Sequence, residues 1–194
     1  MRKLSREDLM SLETYAVERD AFRKRVMAHK ADRRLDLGEH LSLYFEDRLI
    51  MQYQIQEMLR TERIFDPQGI EEELDAYNPL IPDGRNLKAT MMILYPDVAE
   101  RQQRLRELVG IEDRVWLQVE GFDRVAPVCD EDLPREDGEK TSAVHFARFE
   151  FSDDMIAALR DGAALSAGVD HPAYSVSVSP VAAQITAALR ADFD

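Results

Sequence analysis

The sequence predicts an α+β fold in which a largely antiparallel sheet of about six strands packs with helices. Apolar residues recur at every second position in some short segments and at every third or fourth position in others, which indicates strands and helices in one chain. The links between neighbouring strand segments are short and contain turn residues, as at residues 121–123 and 171–172. Such links join antiparallel strands, whereas a doubly wound parallel sheet needs long crossovers.

The N-terminal region is predicted to be helical. Ser5 and Asp8 have the spacing of a capping box, and no Gly or Pro follows before Gly38, so we expect a helix, continuous or with one break, from about residue 6 to about residue 34. Residues 35–46 then alternate with period two and are predicted to form one strand with a polar face.

The rest of the chain alternates between helical and strand patterns, separated by Gly, Pro and capping residues. The predicted elements are helices 49–64 and 67–77, strand 87–95, a helix from Asp97 to Gly110, hairpin 114–120/124–128, strand 141–151, a helix from Ser152 to Gly162, hairpin 164–170/174–178 and a helix opened by Pro180. The link at 78–84 is too short for a flexible linker, so we interpret 1–194 as a single domain with a helical part, 1–82, and a sheet-rich part, 83–194.

Charge and composition exclude several classes of function. The 194 residues carry a formal charge of −13, which argues against a nucleic-acid partner and for a monomer or small homo-oligomer. No segment is apolar enough to span a membrane, and the N-terminus does not have the pattern of a secretory signal. A single Cys cannot form an intrachain disulfide, so we expect a cytoplasmic protein.

Basic residues are concentrated at the N-terminus. Residues 1–34 hold ten Lys and Arg against six Asp and Glu, whereas residues 35–194 hold fifteen against thirty-two. The first helix therefore either docks on the acidic body of its own chain or, through residues such as Arg23, Lys24 and Arg25, binds an acidic protein partner. Six carboxylates also fall within residues 130–140, which we interpret as a solvated acidic loop rather than a cation site.

Two sets of residues are candidates for chemistry or ligand binding in the N-terminal half. His40 and Glu46 lie on the polar side of the predicted strand, and with Glu57 from the next helix they are a candidate site for Fe, Mn or Zn. Tyr53, Glu57 and Arg60 share one helix face, so Tyr53 and Arg60 are candidate ligand-binding residues. The alternatives are a solvated strand face and an ordinary surface ion pair.

His145 is the candidate catalytic residue. It shares a strand face with apolar residues, two of which are alanines that leave room for a ligand beside the ring. A small-molecule enzyme with His145 as acid or base in an apolar pocket is therefore one hypothesis. The alternative is a core histidine with satisfied hydrogen bonds.

Eight short segments together resemble a bacterial family catalogued only as a domain of unknown function. These segments are residues 37–43, 45–46, 54–60, 76–80, 89–92, 110–116, 140–146 and 168–172. The resemblance runs from Leu4 nearly to the end of the chain. It implies a genetic context beside rubrerythrin-like and iron–sulfur proteins, and therefore an accessory or ligand-binding role, with a redox partner, in oxidative stress. It implies no catalytic residues.

Overall fold

The computed structural model describes residues 2–131, 135 and 138–193, so Asp132, Glu136 and Asp137 of the predicted acidic loop lie outside the described residues. The described residues form helices α1 (Leu12–Ala31), α2 (Arg48–Glu62), α3 (Pro67–Tyr77), α4 (Val98–Glu107), α5 (Asp153–Arg160) and α6 (Ala183–Arg190). They also form strands β1 (Arg34–Leu37), β2 (Leu41–Phe45), β3 (Asn86–Ile93), β4 (Val115–Val119), β5 (Arg124–Val125), β6 (Val128–Cys129), β7 (Val144–Glu150), β8 (Leu165–His171) and β9 (Tyr174–Val178). The predicted α+β class is confirmed.

The strands of the described chain form two antiparallel sheets rather than the predicted single sheet of about six strands. Their orders are β1-β2-β3-β7-β6 and β5-β4-β8-β9. Inward-facing side chains of both sheets, such as Leu43 and Phe149 from the first and Leu117 and Ala167 from the second, belong to one core. The pairing of β2 with β3 crosses the predicted division at residue 82.

The segment predicted as one strand, residues 35–46, is a hairpin of β1 and β2. The chain reverses at Gly38, whose φ of +75° lies in the left-handed region that glycine adopts readily. Leu35 pairs with Leu43 and Leu37 with Leu41, and all four are buried. Because the reversal occupies three residues, the leucines stay on odd positions through the turn, and this continuity makes the segment resemble one strand.

Two other boundaries differ from the prediction, one at a local cap and one at a long-range hydrogen bond. The predicted first helix divides into a 3-10 turn, Arg6–Asp8, and α1, whose N-cap Ser11 accepts a hydrogen bond from the Thr14 amide. The predicted C-terminal helix starts at Ala183 and not at Pro180, because the Val181 amide donates to the Leu165 carbonyl at the start of β8.

A buried arginine connects the N-terminal region to the C-terminal region. Arg33 follows α1, is 2% exposed and donates to the carbonyls of Phe45, Glu46 and Ala188. Its guanidinium also pairs with the buried Asp192 carboxylate. Polar contacts therefore help to hold the end of the chain against α1 and β2, together with the buried Leu189 and Phe193.

The outer face of the four-stranded sheet is covered by the single tryptophan of the chain. Trp116 on β4 pairs with Gly168 on β8 and lies over it, and only 7% of Trp116 is exposed. The Arg124 guanidinium lies 3.9 Å from the ring centroid on the other side. A glycine at 168 leaves the space that the indole fills.

Candidate functional site

The outward face of the five-stranded sheet carries a mixed set of polar and aromatic side chains. Lys88 and Thr90 on β3 lie opposite Arg148 and Phe146 on β7. Glu46, which follows β2, joins this group through a hydrogen bond from its amide to the Lys88 carbonyl, 2.8 Å. Strand alternation therefore brings a carboxylate, two cations and an aromatic ring to one surface.

The turn after α3 forms a wall above this surface. Residues Asn78–Leu80 are a 3-10 turn that contains Pro79, and the Lys88 Nζ donates to the Pro79 carbonyl. From the other side, Lys3 Nζ donates to the carbonyls of Asn78, 2.9 Å, and Ile81, 2.6 Å. Two lysines thus hold the turn over β3 and the N-terminal segment.

A cavity of about 550 Å³ lies between the sheet and this wall. The residues that line it are Glu46, Asp75, Ala76, Tyr77, Pro79, Leu80, Lys88, Ala89, Glu131, Phe146, Ala147 and Arg148. Its volume and its largely apolar wall, with a few polar groups, are typical of a small-molecule site.

Glu46 is the unusual group in this wall. It is 7% exposed, and its Oε1 accepts a 2.6 Å hydrogen bond from Thr90 Oγ1. Its Oε2 is buried and has no hydrogen-bond partner among the described residues. Burial raises the pKa of Glu46, although the Thr90 hydrogen bond and the nearby charges of Lys30 and Arg33 act in the opposite direction.

Of the other charged groups at the cavity, the two cations and Glu131 already have partners, and Asp75 is an exposed carboxylate at its edge. Arg148 makes two 2.8 Å hydrogen bonds to Glu131 and also contacts Glu150. Burial lowers the pKa of Lys88, whose ammonium is bonded to the turn. A ligand group that donates a hydrogen bond or brings a positive charge would therefore find its match at Glu46 Oε2.

The structure does not bring the three residues of the predicted metal site together. His40 and Glu46 lie at opposite ends of β2, roughly 20 Å apart at the usual rise of a strand. The His40 ring is stacked on Tyr95, and its Nδ1 lies 3.0 Å from the Leu94 carbonyl. Within residues 2–131, 135 and 138–193, no group of three or more His, Cys, Asp or Glu side chains is arranged to hold a metal ion.

Glu57 and Tyr53 are used in the contact between α1 and α2, whereas Arg60 is exposed and pairs with Glu57 within α2. Glu57 accepts hydrogen bonds from Tyr15, 2.6 Å, and from two nitrogens of Arg19, 2.7 and 2.8 Å, which hold the pKa of Glu57 low, at about 2. Tyr53 packs on Phe22, and Arg60 lies 3.6 Å from Glu57. The predicted ligand-binding face thus makes an interhelical contact.

The surroundings of His145 enclose it completely. Its side chain has no exposed surface, and its Nδ1 lies 2.6 Å from an Asp130 carboxylate oxygen. Its Nε2 lies 2.8 Å from Thr141 Oγ1 and 3.1 Å from the Ser142 carbonyl. This arrangement resembles an Asp–His–hydroxyl triad in its connections, but the ring has no surface that a substrate could reach from solvent, which the acid–base hypothesis requires.

Sequence reasoning identifies Glu46 but assigns it the wrong neighbours, and it misses the cavity. The missed signal is on β7, where Phe146 and Arg148 occupy the positions that alternate with the buried His145 and Ala147. An aromatic side chain on the outward face indicates that something covers that part of the sheet. The covering turn, residues 78–80, has the sequence pattern of a simple connection.

Two buried carboxyl groups predict how stability depends on pH. Burial raises the pKa of Asp192 to about 6 and also raises that of Glu46. A carboxyl group whose pKa is higher in the folded state stabilises the fold most below its unfolded-state pKa, near 4. This stabilisation is lost as the pH rises through the folded-state pKa. We therefore expect the free energy of unfolding, from urea titrations, to fall by about 1–3 kcal/mol between pH 5 and pH 7.

Asp192→Asn is the matched variant for this pH dependence, because it keeps the side-chain volume and removes the titration. Its stability should change less between pH 5 and pH 7 than that of the unmodified protein. Asp8 and Glu57, whose pKa values are both lowered to about 2 by hydrogen bonds, add a loss of stability only below about pH 4. An equal slope in both proteins would contradict the assignment.

No helix among the described residues is both long and apolar enough to cross a lipid bilayer.

Comparisons with known proteins agree with the fold. No curated protein matches the chain. A crystal structure of a novel protein of unknown function from Burkholderia pseudomallei is 50% identical, with a TM-score of 0.94 over 100% of both chains. The model of a family described as "Protein of unknown function (DUF3501)" matches residues 3–193. The chain therefore belongs to the DUF3501 family.

Proposed function

We propose that the protein binds a small organic molecule in the 550 Å³ cavity between the five-stranded sheet and the turn at residues 78–80. The observation that carries this proposal is Glu46 Oε2, a buried oxygen without a partner among the described residues, in the wall of a largely apolar cavity. A buried carboxyl oxygen without a hydrogen-bond partner costs free energy. A ligand that donates a hydrogen bond to this oxygen would recover that cost.

The geometry favours an apolar molecule with one amine. Phe146, Tyr77 and Leu80 can pack on a hydrocarbon or aromatic body, and Glu46 can accept a hydrogen bond from an ammonium group. The cations of the cavity wall, Lys88 and Arg148, are already bonded to the turn and to Glu131, so they do not select an anionic ligand.

A redox function has less support from the described side chains. Burial, together with the nearby carboxylates of Asp130, Asp113 and Glu112, raises the pKa of the Cys129 thiol to about 12, which keeps it protonated and unreactive. The rubrerythrin-like and iron–sulfur partners that the family resemblance implies stay a prediction, as does a role in oxidative stress.

The test is a binding titration with phenethylamine, 2-phenylethanol and 3-phenylpropionate, followed by amide chemical shifts in NMR spectra. We expect the amine to bind most tightly and to shift signals of residues such as Thr90 and Phe146. Glu46→Gln should weaken amine binding by about 10- to 100-fold, because a charge-assisted hydrogen bond is lost. Glu39→Gln, an exposed carboxylate in the β1–β2 turn, should have no effect.

Two further measurements make this test decisive. Ala76→Trp should block the cavity from its mouth and abolish binding while the far-UV spectrum stays unchanged. Without ligand, Glu46→Gln should be at least as stable as the unmodified protein, because it removes a desolvated carboxyl. The proposal is overturned if all three probes bind equally or not at all, or if Glu46→Gln leaves the affinity for the amine unchanged.

A further inference from the structure

Helix α1 has one buried seam and one fully exposed face. Tyr15, Phe22 and Val26 are buried against α2 and the body of the protein. On the opposite side, Val17 is 82% exposed, the highest value among the large hydrophobic side chains described as exposed. Ala21 and Ala28, at positions i+4 and i+11 from Val17, are also exposed and extend this face with small residues.

Charges on the exposed side of α1 are separated by sign along its length. The exposed charged residues nearest to Val17 around the helix are Glu13 and Asp20 in the first half and Lys24 in the second. Glu18, Arg23 and Arg25 are also exposed but lie at the edges of this face, where the Arg25 guanidinium is 4.9 Å from the Phe22 ring centroid. Arg19, which interrupts the acidic half, is committed to Glu57 on α2. The exposed face is therefore acidic at one end and basic at the other.

We propose that this face binds a second copy of the chain, with the two α1 helices antiparallel about a two-fold axis. An antiparallel arrangement places the acidic half of each helix against the basic half of the other, and the symmetry satisfies both ends at once. Near the axis, Val17 packs on the aliphatic stem of the partner's Lys24, and Ala21 allows close approach. A parallel pair would place like charges together.

A second copy fits this surface better than an unrelated acidic partner. An acidic protein would match Arg23, Lys24 and Arg25 but would be repelled by Glu13, Glu18 and Asp20 on the same face. The helix has 20 residues and is about 30 Å long, so one helix pair buries a small area for a specific interface. The dimer is accordingly weak and reversible.

Sedimentation equilibrium at physiological ionic strength, with protein up to near-millimolar concentration, tests the proposal. We expect reversible dimers that Val17→Asp abolishes. Glu18→Lys/Asp20→Lys makes the face mainly basic and Arg23→Glu/Lys24→Glu makes it mainly acidic, and each should weaken self-association about tenfold or more. An equimolar mixture of the two charge variants should form heterodimers at least as tight as the unmodified dimer.

Val98→Asp is the matched control, because Val98 is 56% exposed on α4, away from α1. It should leave the dissociation constant unchanged. A protein that stays monomeric over the whole concentration range overturns the proposal, and so do charge variants that associate as the unmodified protein does. A mixture that fails to form heterodimers also overturns it, because the acidic and basic halves of two helices would then not pair with each other.

Discussion

Replacing Arg33 by alanine is expected to lower the free energy of unfolding by about 3–5 kcal/mol, measured by urea denaturation. The substitution removes the donor for three backbone carbonyls and leaves Asp192 as a buried carboxylate without its cation. Buried groups deprived of their partners account for most large losses of stability from single substitutions.

The adjacent arginine provides a control for this prediction. Arg34 has a 47% exposed side chain and pairs with the exposed Asp36, so Arg34→Ala should cost less than about 1 kcal/mol. Arg33→Met/Asp192→Leu removes both charges and should recover part of the stability lost in Arg33→Ala. If Arg33→Ala is no more costly than Arg34→Ala, the buried network does not hold the end of the chain.

Gly168→Ala is expected to lower the free energy of unfolding by about 2–4 kcal/mol. A Cβ at this position would lie 2.4 Å from Trp116 Cζ2 and 2.7 Å from the Val176 carbonyl oxygen. The Val176 backbone lies on one side of the added methyl group and the rigid indole of Trp116 on the other. Small shifts of either therefore cannot make room for it. Because Trp116 is the only tryptophan, its fluorescence should shift to the red as the ring moves into water.

Gly121→Ala separates steric conflict from backbone strain. Gly121 has φ +86°, and a Cβ added there would meet no other part of the described chain within 4 Å, so alanine should cost only about 1 kcal/mol. Trp116→Leu combined with Gly168→Ala should cost less than the sum of the single changes, since leucine frees the space. Additive costs, or an unchanged fluorescence maximum in Gly168→Ala, would contradict this account of the contact.

Sequence patterns correctly predict the starts of helices that are fixed by contacts between neighbouring residues. Helix α3 has the predicted bounds, and it begins at Pro67 because the Asp66 carboxylate accepts from the Gly69 amide and Pro67 occupies the first turn. The predicted caps Asp97 and Ser152 likewise accept from the third residue of α4 and α5. Such contacts span three or four residues and are visible in the sequence.

Contacts between distant residues could not be predicted in this way. The division of the strands between two sheets depends on pairings such as β6 with β7, in which Val128 meets Arg148. The candidate site depends on the turn at 78–80 folding back over β3, and Arg33 depends on Asp192, which is 159 residues away. Periodicity tells which side of a strand is buried, but not what covers the other side.

The turn between β1 and β2 has three residues, and this odd number places the leucines of both strands at odd positions in the sequence. β2 is fixed in register by β3, so β1 must adapt to any change in the turn. If the turn kept its three-residue geometry, adding or deleting one residue beside it would move Arg34 and Asp36 into the core and Leu35 and Leu37 out of it, whereas a change of two would keep the leucines inside. Wherever this turn geometry is kept, natural variation in length is therefore expected in even steps.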